Sequence, residues 1–163
     1  DENIGWFYQK GVLAATADSG QNWQTLALPE GVAKVKAVAP LSFSAGYILD
    51  ENGIVFVTNN QGQNWESFSL PLNEFPGMKA ATTEATTAGL RFFDQQNGLA
   101  VMALIGNDAP QTVAFRTSDG GSNWQIEIID QGVGSIFLSQ DGRFVTSKLS
   151  GIKVYRYRGA ERN

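Results

Sequence analysis

The chain contains no cysteine and no histidine. The first absence excludes a disulfide framework, a thiolate zinc site, an iron–sulfur cluster and a cysteine nucleophile. The second excludes a Ser-His-Asp triad, a histidine-ligated metal and an imidazole general base. Any chemistry would rest on carboxylates, Tyr, Lys, Ser or Thr, and no cofactor is expected. Long apolar runs are lacking too: the stretch 98–105 is among the longest, far short of the ~20 residues a spanning helix needs, so no membrane insertion is expected. The acidic start Asp1-Glu2-Asn3 with no apolar segment behind it does not resemble a signal peptide. A mature exported chain would have lost its signal, and an exported or periplasmic location is the expectation. Charge is sparse, 17% of 163 residues against 42% hydrophobic. That composition is globular rather than disordered, and the length suits one domain with a real core.

What is present is a repeat. Three octets share the template T-x-[DN]-x-G-x-N-W: residues 16–23 with Thr16, Asp18, Gly20 and Trp23, residues 58–65 with Thr58, Asn60, Gly62 and Trp65, and residues 117–124 with Thr117, Asp119, Gly121 and Trp124. A short β-prone run precedes each octet and an alternating apolar–polar segment follows it, the signature of strand, turn, strand. A short Asp or Asn side chain accepts hydrogen bonds from the amides of such a turn. Gly supplies a backbone conformation that a side chain would penalise. The Trp at the start of the outgoing strand is expected to pack in the core, which would account for three of the four tryptophans, with Trp6 outside the set. On this reading the octet is a folding device.

A second element precedes each octet: a strand, a polar turn, a Gly and another strand, with copies around Gly5, Gly46, Gly98 and Gly142. The two elements make a unit of four strands. Trp23 and Trp65 are 42 residues apart, the length of a four-stranded propeller blade. Trp65 and Trp124 are 59 apart, and the 17 extra residues fall at 72–88 and 105–111. The expected fold is all-β, a β-propeller of four-stranded antiparallel blades with about four blades present, spanning roughly 1–30, 31–72, 89–131 and 132–158.

The octets resemble Asp-box repeats, also called bacterial neuraminidase repeats, which sit at the turn between the third and fourth strands of propeller blades. The wider pattern is most similar to the photosystem II assembly and stability factor-like propellers. Asn60, where the motif has Asp, departs from it but still accepts the turn's hydrogen bonds. The resemblance implies a non-enzymatic scaffold that binds an unidentified protein partner. The alternative is a carbohydrate-active Asp-box protein related to sialidases, although the Arg-Ile-Pro signature of those enzymes is absent from this chain. No catalytic residue is assigned, and paired-carboxylate hydrolysis stays open because sequence does not report carboxylate separation. Asp18 and Asp119 with nearby Asn and Ser oxygens suit a hard cation in type, but each octet offers one carboxylate, so turn-locking is expected and no metal.

The first unit begins at its Gly turn and the fourth lacks an octet. Three readings stand: part of a longer propeller of about six to eight blades, a half-ring closed as a homodimer by a second copy, or a four-bladed ring with an irregular closing blade. Charge is uneven as well. Residues 143–163 hold six of the 12 Lys and Arg and one acid, while residues 1–142 carry a net charge of -9. Arg143, Lys148, Lys153, Arg156 and Arg158 are therefore a candidate anion or partner face, or else an edge strand decorated against aggregation. With a pI near 4.8 and no binding motif, nucleic acid is not an expected partner. The low-complexity stretch 80–89 reads as a recognition loop or a plain insertion.

Overall fold

A computed structural model describes residues 3–81, 88–132, 135–138, 143–148 and 151–156. Fifteen strands in chain order, joined by short turns and one 3-10 turn at Leu72–Glu74, form four antiparallel sheets. The first sheet orders β1 (Gly5–Gln9), β2 (Val12–Thr16) and β3 (Gln24–Leu26). The second orders β4 (Val35–Pro40), β5 (Gly46–Asp50), β6 (Ile54–Thr58) and β7 (Glu66–Ser69). The third is built on β10 (Gly98–Gly106), with β11 (Gln111–Thr117) and then β12 (Gln125–Gln131) on one side. The fourth orders β13 (Ser135–Leu138), β14 (Arg143–Lys148) and β15 (Gly151–Arg156). The first, second and fourth sheets are sequential meanders, the order that short polar turns between alternating segments dictate. The tightest turn shows the chemistry: Gln9 pairs with Val12, and Lys10 and Gly11 between them take φ of 49° and 81°, as a two-residue hairpin requires.

The third sheet differs from expectation in its inner strand. β8 (Met78–Ala80) pairs with Leu104–Gly106, and β9 (Ala88–Phe92) pairs with the earlier half of β10. The stretch 72–88 is therefore not only an insertion. Part of it extends the inner edge of the blade beside an unusually long β10. Of the extra residues at 105–111, Ile105, Gly106 and Gln111 lengthen the strands and 107–110 connect β10 to β11.

Equivalent positions are fixed by pairing. Gly5 faces Thr16, Gly46 faces Thr58 and Gly98 faces Thr117. From this register Trp6, Tyr47 and Leu99 correspond, as do Phe7, Ile48 and Ala100. Alternate residues along each strand point to opposite faces, so each blade has a leading face toward the preceding blade and a trailing face toward the next. Trp6, Leu13 and Leu26 on the trailing face of the first blade share a core with Ile48 and Phe56 of the second. Tyr47, Leu49 and Val55 share the next core with Leu90, Phe92, Val113 and Phe115. Leu99, Val101 and Ala114 pack with Ile136. The core is thus a series of layers between blades, not one central cluster. Close approach needs small residues at chosen points: a Cβ at Gly46 would lie 2.7 Å from the Trp6 ring. Among the described residues no helix is long and apolar enough to cross a membrane.

Candidate functional site

The three octets close through the same atoms. Thr16 donates its hydroxyl to Asp18 Oδ1 at 2.8 Å, Thr58 to Asn60 Oδ1 at 3.0 Å and Thr117 to Asp119 Oδ1 at 2.8 Å. The same hydroxyl oxygens accept from the backbone N–H of Gly20, Gly62 and Gly121 at 2.9–3.0 Å. The Oδ1 atoms accept from the N–H of Asn22, Asn64 and Asn123 at 2.8–2.9 Å. These threonines are buried, so hydroxyls that would otherwise be costly to desolvate are satisfied by the turn they hold. A further bond distinguishes the acidic copies. Asn22 Nδ2 donates to Asp18 Oδ2 at 2.6 Å and Asn123 Nδ2 to Asp119 Oδ2 at 2.7 Å. Asn60 presents an NH2 at that position, which donates rather than accepts.

Each octet turn is tied to the segment that leads into the Gly-led strand of its own blade. Ser19 N–H donates to Asn3 O, Gln61 N–H to Ser44 O and Gly120 N–H to Gln96 O, all at 2.9 Å. Asn3, Ser44 and Gln96 each lie two residues before the corresponding Gly5, Gly46 and Gly98. These two segments therefore gather at one end of each of the three blades that carry an octet. Asp18 and Asp119 are held below the usual carboxylate range. For Asp18 the largest cause is the Asn22 backbone N–H, followed by the Asn22 and Thr16 side chains. For Asp119 it is the Asn123 side chain, followed by the Asn123 N–H and Thr117. The octet carboxylates are engaged by their own turns, and among the described residues no three His, Cys, Asp or Glu converge to hold a metal.

The tryptophans do not behave alike: Trp65 and Trp124 pack against the cores as expected, whereas for Trp23 the expectation of core packing is corrected. Trp124 is half-buried and meets Phe92 edge-on at 6.4 Å. Trp65 is half-buried and donates Nε1–H to Ala27 O of the first blade at 3.0 Å. It lines a groove of about 400 Å³ with Leu28, Pro29, Glu30, Asn64 and Ser67. Trp23 is 46% exposed and donates Nε1–H to Gly20 O of its own turn. The tryptophan in the core is Trp6, 8% exposed. Trp65 reaches the blade before its own, whereas Trp124 meets Phe92 of its own blade within the layer shared with the second blade, so burial follows the junction between blades rather than the motif.

Two groups lay outside the sequence reading. Asp50 is fully buried; Oδ1 accepts from the N–H of Asn52 and Ile54 at 2.9 Å, and Oδ2 from that of Ala33 at 3.3 Å. It joins the segment leaving the first blade to the turn of the second. The Asp50-Glu51-Asn52-Gly53 run signals a turn, but nothing local announces the bond to Ala33. Tyr47 and Phe92 stack at a centroid distance of 3.5 Å with 2° between planes, and Tyr47 OH donates to Gln95 O. Burial, then the Asp94 charge, raises the Tyr47 hydroxyl above its ordinary pKa.

The basic residues are only partly brought together. Arg143 and Arg156 are cross-strand partners, while Lys153 pairs with Thr146, and Lys148 with Gly151. Since cross-strand partners share a face, the register divides these four into two pairs. Arg158 and residues 82–87 of the low-complexity stretch lie outside the described residues.

No family profile matches the chain, and no curated protein matches it. Among solved structures, YCF48 bound to a D1 peptide aligns with 96% of this chain at 24% identity and a TM-score of 0.63. The chain spans 49% of that protein's length. YCF48 from Cyanidioschyzon merolae aligns with 93% of the chain and 79% of its own at 13% identity and a TM-score of 0.40. The NanB sialidase of Streptococcus pneumoniae aligns with 82% of the chain and 23% of its own at 13% identity and 0.45. The likeness to the peptide-bound YCF48 structure establishes the fold: an all-β propeller of antiparallel blades, four of them represented here.

Proposed function

We propose that the chain is a non-enzymatic propeller scaffold that binds an extended segment of another protein, in the manner of an assembly factor. The observation that carries this reading is the likeness along 96% of the chain to a propeller solved with a peptide bound. The octets add support. Their repeated chemistry of Thr, Asp and Asn is consumed within the turns, which suits a rigid frame whose binding groups lie elsewhere. Basic residues concentrated at 143–163 in an otherwise acidic chain favour a segment bearing carboxylates. We assign that contact to Lys148 and Lys153, which the β14–β15 register places on one face of the fourth sheet.

The D1 peptide itself is the probe. Titrating the fluorescently labelled peptide with this chain should raise its anisotropy to saturation in the micromolar range, whereas a scrambled peptide should not respond. Lys148→Glu combined with Lys153→Glu should weaken binding roughly tenfold or more, and added salt should weaken the wild type in the same direction. A flat titration at high protein concentration overturns the peptide-binding reading. Release of fluorophore from a fluorogenic sialoside would overturn its non-enzymatic half.

A further inference from the structure

The groove of about 400 Å³ at the junction of the first two blades has firmly held walls. One wall is the segment 27–30 that leaves β3; the other is the end of the second octet with β7, and buried Phe56 of β6 also lines the groove. Three contacts join the walls. Gly62 lies so close to Ala27 that a Cβ there would come within 2.7 Å of the Ala27 carbonyl oxygen. Trp65 Nε1–H donates to that same oxygen at 3.0 Å, and Gln24 Nε2 donates to Gln61 Oε1 at 3.3 Å. A site formed in advance has little ordering to undergo when a ligand enters.

Its chemistry is polar but almost uncharged. Glu30, Gln63, Asn64 and Ser67 line it and are exposed, and among the described residues no hydrogen bond engages their side chains. Glu30 is the one charge among the described lining residues, with no Lys or Arg to hold an anion. The Trp65 indole N–H is already taken by Ala27, which leaves the ring to offer apolar surface rather than a donor.

Asn64 adds a second, independent observation. In the first and third octets the equivalent side chains are locked, Asn22 onto Asp18 and Asn123 onto Asp119. The second octet has Asn60 where those have Asp. Asn60 Oδ1 still accepts the Asn64 backbone N–H at 2.9 Å, so the turn keeps its closure. Its NH2 cannot accept in place of the second carboxylate oxygen, and the Asn64 carboxamide is released. The departure from the octet motif thus frees an amide at the very turn that borders the groove.

We propose that this groove binds a neutral saccharide, with Asn64, Gln63, Ser67 and Glu30 engaging its hydroxyl groups and the Trp65 ring its C–H face. Sugar hydroxyls donate and accept at once, and so pair with amides, a hydroxyl and a lone carboxylate. A pyranose also carries an apolar C–H face that suits an indole surface. A single carboxylate among the described lining residues supplies no acid–base pair for cleaving a glycosidic bond, so the sugar is held and not hydrolysed. The groove shares no residue with the basic positions assigned to the peptide and does not rest on that reading.

Cellobiose, maltose and lactose are the probes, with sialyllactose as the anionic comparison. Titrated into isotopically labelled protein, at least one neutral disaccharide should shift the side-chain amide resonances of Asn64 and Gln63 and the Trp65 indole resonance to saturation. Sialyllactose should bind no more tightly than lactose. Asn60→Asp relocks Asn64 without itself lining the groove, so it should weaken the sugar about fivefold while the protein stays at least as stable as the wild type. A merely structural role for Asn60 would not separate binding from stability in that way. Asn64→Ala, which keeps the backbone bond of the turn, should weaken the sugar as much or more. No saturable shift with any of the three neutral disaccharides overturns the proposal, as does undiminished binding in either variant or tighter binding of sialyllactose. The labelled D1 peptide should bind Asn60→Asp and wild type alike; if the variant weakens the peptide and the sugars do not bind, the groove belongs to the peptide instead. A flat peptide titration beside a saturable sugar shift would overturn the peptide reading alone.

Discussion

Trp23 and Trp124 occupy the same position of the same eight-residue motif, after turns closed by the same hydrogen bonds, yet one is nearly half exposed and the other packs on Phe92. The turn is a local structure, complete once Thr, Asp, Gly and Asn are in place. The Trp is a non-local one, because its burial needs a layer shared with a neighbouring blade, as Trp124 has beside Phe92. Comparing the first and third blades therefore separates two kinds of energy in one repeat. Turn closure is intrinsic to each octet, whereas apolar burial belongs to the junctions between blades, as in other repeat architectures.

The sharpest way to break this comparison is to truncate equivalent residues. Ile48→Ala removes a fully buried side chain from the first junction and should cost about 2–5 kcal/mol, as large-to-small changes in a packed core do. Phe7→Ala, at the corresponding position of the first blade, where the side chain is 39% exposed, should cost under about 1 kcal/mol when measured by urea unfolding. Equal costs would mean that the first blade's leading face is stabilised by something other than a neighbouring blade.

This division also explains what was legible in the sequence. The octets announce themselves because Thr16, Asp18 and Asn22, and their counterparts, act on each other within a few residues, so spacing alone reports the bonds. The meander order follows from the turns. Which tryptophan is buried was not legible, since Trp6 lies in the core through contact with Gly46, forty residues away. β8 escaped notice because Met78-Lys79-Ala80 is too short to show alternation and is held by pairing with Leu104–Gly106. Asp50 gave no local signal beyond its turn, because its bond to Ala33 spans 17 positions. The basic positions near the chain's end were visible as composition, but their separation into two register pairs is a property of pairing.

A smaller effect separates two octet glycines. Gly20 and Gly62 have φ of 86° and 79°, in the left-handed region, so replacing either by Ala should cost about 1–2 kcal/mol of backbone strain. At Gly20 the new Cβ would meet only the Trp23 ring, at 3.5 Å, an ordinary contact. At Gly62 it would lie 2.7 Å from the carbonyl oxygen of Ala27, which belongs to the neighbouring blade and cannot swing aside. Gly62→Ala should therefore lose a further ~1–3 kcal/mol. Paired denaturant curves read the difference. If Gly20→Ala proves as damaging as Gly62→Ala, the strain is confined to the turn and the inter-blade contact contributes nothing.

The smallest expected effect compares the turns themselves. Asn60→Asp should restore the missing side-chain bond from Asn64 Nδ2 and stabilise the second turn by under about 1 kcal/mol. Its clearer signature is pH dependence. Asp18 and Asp119 have folded-state pKa values depressed below 3.8 by the N–H and amide donors around them. A depressed carboxylate contributes stability that is present above its unfolded pKa and lost as pH falls through the folded value. In the wild type the first and third turns should loosen in acid, and the amide resonances of Asn22 and Asn123 should move as pH is lowered from 4 toward 2. The Asn64 amide bonds to a neutral acceptor and should stay put. In Asn60→Asp the Asn64 resonance should join the other two, with a midpoint also below 3.8. An Asn64 amide that titrates in the wild type would show that the acid response arises between blades, and the local character assigned to the turns would fail.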